Sequence, residues 1–86
     1  MASYSIFWKH SAEHDLRRLD RSIISRLLEA IEALSENPFP PQSKKLAGSE
    51  STYRIRIGDY RAIYQVGTEA KIVTVYNIRH RREAYR

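Results

Sequence analysis

The sequence contains no cysteine. A disulfide frame, a thiol nucleophile and a cysteine-based zinc site are therefore excluded. No apolar run approaches the roughly 20 residues of a membrane-spanning helix, so no membrane partner is expected. The opening residues, Met-Ala-Ser-Tyr-Ser, lack a basic stretch followed by an apolar one. A secretory signal is not expected, and a reduced, cytoplasmic setting is. Length is short as well. A chain of 86 residues makes one domain, 1–86, that buries roughly 60% of its unfolded surface. That is too little for a doubly wound dinucleotide-binding fold. No repeat and no low-complexity segment interrupts it.

What is present is ordinary globular composition, 42% hydrophobic and 29% charged, with the charge unevenly placed. Residues 1–43 carry 5 basic and 6 acidic side chains, whereas residues 44–86 carry 10 basic and 4 acidic ones. The whole positive excess sits in the second half. Solubility alone can explain such a run; the positions of the arginines argue for more.

Residues 3–9 alternate, with Tyr4, Ile6 and Trp8 on one face, and predict a strand whose Trp8 is core. Ser11 is the expected cap of a first helix carrying Ala12, Leu16 and Leu19. Asp20 is the expected cap of a second. Its stripe of Ile23, Ile24, Leu27, Leu28, Ile31 and Leu34 follows helical spacing. All three prolines fall in Asn37-Pro38-Phe39-Pro40-Pro41, which ends the helix because proline lacks the N–H and restricts its predecessor. Residues 43–52 read as a loop. Residues 53–57 and 60–66 read as strands joined by Gly58-Asp59, a two-residue hairpin signal. Residues 72–78 read as a last strand. The expected fold is α+β: a small, mostly antiparallel sheet of about four strands, in the order β-α-α-β-β-β, with a two-helix hairpin on one face.

The hairpin concentrates the chemistry. With Gly58-Asp59 as the loop, Ile57 pairs with Tyr60, Arg56 with Arg61, and Ile55 with Ala62. Tyr53, Ile55, Ile57, Tyr60, Ala62, Tyr64 and Val66 then form an apolar face for the helices. Arg54, Arg56 and Arg61 occupy the other face. Like charges directly opposite each other repel, so the arrangement makes sense if an anion sits there. The planar guanidinium fork suits phosphate. The tail, Arg79-His80-Arg81-Arg82-Glu83-Ala84-Tyr85-Arg86, adds phosphate ligands, a titratable ring and a stacking ring. Arginine interleaved with aromatics is a common way to hold single-stranded RNA. Lys44 and Lys45 either touch backbone phosphates or solubilise a loop. His10 and His14 stand four apart without a third ligand at a convincing spacing, so no metal site is expected. No Ser/His/Asp pattern is visible.

The run Lys-Lys-Leu-x-Gly, then Tyr-Arg-Ile-Arg-Ile-Gly-Asp-Tyr-Arg-Ala-Ile-Tyr-Gln-Val, then Arg-His-Arg-Arg-Glu-Ala-Tyr resembles the RelE/ParE toxin superfamily over nearly the whole chain. The stretch from Lys44 to Val66 is its most specific part, and the RelE branch is the nearer one. The resemblance implies the toxin of a type II toxin–antitoxin system: a ribonuclease, without metal or cofactor, that cleaves mRNA in the ribosomal A site by attack of the 2′-hydroxyl on its adjacent phosphate. The implied partners are a RelB-like antitoxin, mRNA, and the ribosome with its small-subunit RNA. Operator DNA enters only through the antitoxin complex. Arg54 and Arg56 fall where RelE toxins have basic strand residues. Arg61 matches the arginine of Gly-x-Tyr-Arg, and Arg81 and Tyr85 match a tail arginine and tyrosine.

Two departures stand out. The strand positions are lysines in well-known RelE toxins, one of them proposed as general base, and arginine hardly gives up its proton. The tail spacing is also shorter, so Arg81 and Arg82 compete for one role. The expected catalytic set is Arg56, Arg61, Arg81, Tyr85 and His80, with His80 or Tyr85 as base. The expected RNA-binding set is Arg54, Lys44, Lys45, Arg79 and Arg82. Two other implications stay open: a ParE-like poison of DNA gyrase, and a degenerate toxin that only pairs with its antitoxin and helps repress their operator.

Overall fold

Alternation and helical stripes assemble here around one sheet, seen in a computed structural model that describes residues 3–84. The elements run β1 (Ser5–Trp8), α1 (His10–Arg17), α2 (Arg21–Glu32), a 3-10 turn (Ala33–Ser35), β2 (Ser43–Lys45), β3 (Thr52–Ile57), β4 (Tyr60–Gly67), β5 (Ile72–His80) and a short helical turn α3 (Arg81–Ala84). The sheet order is β1-β5-β4-β3-β2. β1 lies parallel to β5, and the other neighbours are antiparallel. The architecture is the expected α+β one, with five strands instead of four.

The extra strand is β2. Its Ser-Lys-Lys sequence reads as loop, because three polar residues show no apolar alternation. It pairs at the sheet edge, Ser43 with Ile55, Lys44 with Arg54 and Lys45 with Tyr53. A short, lysine-bearing strand is how natural sheets blunt an exposed edge.

α2 and the 3-10 turn after it supply the core as the stripe predicts: Leu27 and Ile31 of α2 and Leu34 of the turn are fully buried with Ile55, Ala62, Tyr64, Val73 and Val75. Each such aliphatic side chain contributes about 1.5–3 kcal/mol on burial. Trp8 is half-buried and packs against this cluster. Tyr64 is the largest fully buried side chain. Its hydroxyl donates to the Pro38 carbonyl at 2.8 Å, pinning the proline stretch to the core. Burial pushes its phenol above the ordinary tyrosine value, while the Ser43 hydroxyl beside it pulls the other way.

The helix starts differ in detail from the sequence expectation. Ser11 is not a cap: the cap position is Lys9, two residues earlier, and α1 begins at His10. Its hydroxyl instead donates to the Tyr76 carbonyl at 2.7 Å. Asp20 does occupy the cap position of α2, but through its backbone carbonyl, which accepts from Ile23 and Ile24, with no side-chain cap bond. Among the described residues no helix is long and apolar enough to cross a membrane.

Candidate functional site

The hairpin register is the expected one: Ile57 opposes Tyr60, Arg56 opposes Arg61, and Ile55 opposes Ala62. Gly58 turns the chain with φ +62°, a conformation that favours glycine. A methyl group there would also lie 3.2 Å from Nη2 of Arg26. The helix-facing side holds Ile55, Ala62, Tyr64 and Val66 fully or almost fully buried. On the other side Arg54, Arg61, Ile63 and Gln65 are half-buried and Arg56 is exposed.

β5 extends this open face through a defect in its own alternation. Val73 and Val75 point into the core, so strict alternation would send Asn77 and Arg79 inward as well. A β-bulge intervenes: Tyr64 opposes Val75 while Ile63 opposes Asn77, leaving Tyr76 as the extra residue. Tyr76 and Asn77 then both face out, the former bonding its hydroxyl to Gln65 at 2.9 Å. Ile78 is turned into the core, and Arg79 comes to lie opposite Arg61. Bulges next to binding sites commonly re-aim a side chain in this way. The result is a row of arginine positions, Arg56–Arg61–Arg79, across three strands. Adjacent strands lie roughly 4.8 Å apart, so the row spans about 10 Å. A second row runs Lys44–Arg54–Ile63–Asn77.

The tail is not one extended segment. Arg79 and His80 complete β5, and Arg81–Ala84 forms a helical turn. The Arg81 backbone N–H donates to the Asp59 carbonyl at 2.7 Å, tying the tail to the hairpin loop. Between them lies a cleft of about 330 Å³ lined by Arg56, Gly58, Asp59, Tyr60, Arg61, Arg81 and Arg82. Among the described residues, four arginines and one aspartate line it.

Other sequence candidates fall elsewhere. His80 opposes Tyr60 on the helix-facing side and packs edge-on against its ring at 5.1 Å. Its Nδ1 accepts from the Arg82 backbone N–H at 3.2 Å. It lines a separate hollow with Asp15, Arg18, Leu19 and Arg79, and neither His80 nor Arg79 lines the arginine cleft. Lys44 flanks Arg54 and Arg56 in an adjoining hollow. Lys45, its neighbour in sequence, points to the opposite side of β2 beside Tyr53. Arg79 is engaged by Asp15 at 2.8 Å. Tyr85 lies outside the described residues. Among the described residues no group of three or more His, Cys, Asp or Glu side chains could hold a metal ion.

Two contributors escaped the sequence reading, Asp15 and the Asp59 carbonyl. Asp15 did carry a signal. It stands on the inward stripe of α1 with Ala12 and Leu16, where an acidic residue needs a partner.

The family model for the ParE toxin of type II toxin–antitoxin systems matches residues 6–85, and the chain belongs to this family. Its relatives include the toxin RelE1 of Methanocaldococcus jannaschii, 37% identical over 75 residues, which cover 84% of this chain and 83% of that protein. Toxin RelG of Mycobacterium tuberculosis is 31% identical over 87 residues, covering 96% of this chain and 97% of its own. Among solved structures, the archaeal RelE–RelB complex of Pyrococcus horikoshii superposes with a TM-score of 0.83 at 28% identity, covering 92% of this chain and 96% of that one.

Proposed function

We propose that this toxin is a ribosome-dependent mRNA endonuclease of the RelE type, held inactive in the cytoplasm by a RelB-like antitoxin. The observation that carries the reading is the arginine row beside Arg81, on a sheet face where Arg56 is exposed and Arg61 and Arg79 are half-buried. In the proposed reaction the 2′-oxygen of one nucleotide attacks its own 3′-phosphorus, and the bond to the 5′-oxygen of the next nucleotide breaks. The products are a cyclic phosphate and a free 5′-hydroxyl. Two negative charges accumulate on the way, on the pentacoordinate phosphorus and on the leaving oxygen. Preorganised cations aimed at developing charge are the largest catalytic contribution available to such a site. Arg56 and Arg61 suit the phosphorane, and Arg81 suits the leaving-group side.

Proton transfer is less well provided. Among the described residues, Asp59 and Tyr60 are the ionisable cleft residues besides the arginines, and His80 faces away. A site strong in charge stabilisation and weak in acid–base groups gains most from a host that holds the RNA in the reactive geometry. This supports dependence on the ribosome, with mRNA presented in its A site. The antitoxin is proposed from the RelE–RelB complex of the Pyrococcus horikoshii relative, and operator DNA is expected to be reached through that complex.

The family model bears the ParE description, so a gyrase-directed action is the second reading. Induced expression with mapping of cellular mRNA 5′ ends, wild type beside Arg81→Ala, separates the two. Cuts inside translated codons, lost in the variant, are expected. Growth arrest with intact mRNA would instead favour gyrase. Soluble protein with neither arrest nor cuts would leave only a partner-binding role.

A further inference from the structure

The edge of β5 is closed in two stages. β1 covers it as far as Val75, where pairing ends at Trp8. Beyond that point α1 takes over. Ser11 donates to the Tyr76 carbonyl at 2.7 Å. Asp15 Oδ2 accepts from the Ile78 backbone N–H at 3.0 Å and from Arg79 Nη1 at 2.8 Å. Asp15 has only 16% of its side chain exposed, against 43% for Arg79. One carboxylate oxygen thus holds both the backbone just past the bulge and the guanidinium that follows it.

The donor inventory shows what this does to Arg79. A guanidinium has five N–H donors in a rigid plane. Nη1 is occupied by Asp15 and by the Ile78 carbonyl at 3.3 Å. Nε and Nη2 have no hydrogen-bond partner among the described residues. Those two atoms form one side of the fork, the geometry that takes a phosphate in bidentate fashion. Asp15 also places a negative charge behind the last member of the row, offsetting the repulsion of Arg79 by Arg61 across the ladder.

We infer that Asp15 is a positioning residue for the cleavage site. It clamps Nη1 of Arg79 and leaves the Nε–Nη2 edge for an RNA phosphate, at the hollow Arg79 lines with Arg18 and His80, one strand away from Arg61. This rests on the endonuclease reading for its role in the reaction, while the clamp itself is a property of the folded chain.

The test is single-turnover cleavage of mRNA on programmed ribosomes by wild type, Asp15→Asn, Arg79→Ala and the double variant. Asparagine keeps an oxygen for the Ile78 N–H and removes the charge facing Arg79. Loss of one charge-assisted bond at a phosphate ligand should lower the cleavage rate constant about tenfold, with the ribosome concentration for half-maximal rate little changed. On the Arg79→Ala background, Asp15→Asn should cost nothing further. A wild-type rate in Asp15→Asn, or the same loss on both backgrounds, overturns the inference.

If the wild type cuts no mRNA, the endonuclease reading fails. The clamp is then read by a second probe, inorganic phosphate titrated into nitrogen-labelled protein. The Arg79 Nε–H resonance should respond in wild type and respond more weakly in Asp15→Asn. Equal responses would overturn the clamp.

Discussion

The two faces of the β3–β4 hairpin are made by alternate residues of the same strands, yet they obey opposite rules. The inward face, from Tyr53 through Val66, packs on α2 and holds the Tyr64 hydroxyl on Pro38. The outward face sets Arg56 against Arg61, and the bulge in β5 adds Arg79 to the same row. One side lowers the energy of the fold. The other gathers like charges that gain when an anion arrives. Stability and activity are therefore separable by substitution, residue by residue, along one pair of strands.

The largest effect should come from the inward side. Leu27→Ala leaves a cavity in the fully buried cluster and should cost about 2–5 kcal/mol, a large share of the roughly 5–15 kcal/mol that holds a small domain together. Urea denaturation measures it. The outward side should behave in reverse. Arg81 is exposed, so Arg81→Ala should change stability by no more than about 0.5 kcal/mol. Its mRNA cleavage should nonetheless fall by about a hundredfold or more, the scale of a lost charge-stabilising group. Unfolding in this variant would erase the distinction between the faces.

The smallest effect sharpens the comparison within β2. Lys44 lies beside Arg54 and Arg56, and Lys45 points the other way. Lys44→Ala should flatten the salt dependence of RNA binding, changing the log–log slope by about 0.7, the value for one single-strand phosphate contact. Lys45→Ala should leave the slope unchanged. Equal changes would remove Lys44 from the RNA path.

The hairpin was legible because a two-residue Gly58-Asp59 loop leaves only one pairing, and the apolar face then follows by parity. The stripe of α2 was legible for the same kind of reason, many residues keeping one period. What escaped depends on short or irregular features. Ser43–Lys45 is too short and too polar to show a period, and it is a strand only because Tyr53–Ile55 lie beside it. The bulge at Tyr76 has no marker in a run of apolar and polar residues, yet it decides which way Arg79 faces. The helical turn at Arg81–Ala84 and the turned-away ring of His80 depend on the Asp59 carbonyl and on Tyr60, contacts between residues distant in sequence. The arginines of the candidate site stand out in the sequence, but their arrangement needed the sheet.

The most direct test of the outward face is cleavage of A-site mRNA by purified protein on programmed ribosomes, with wild type and Arg61→Ala compared after matched thermal melts. Codon-internal cutting by the wild type, lost in a folded Arg61→Ala variant, is the expected result. Cutting by folded Arg61→Ala at the wild-type rate would contradict the assignment of the arginine row as the working surface of this toxin.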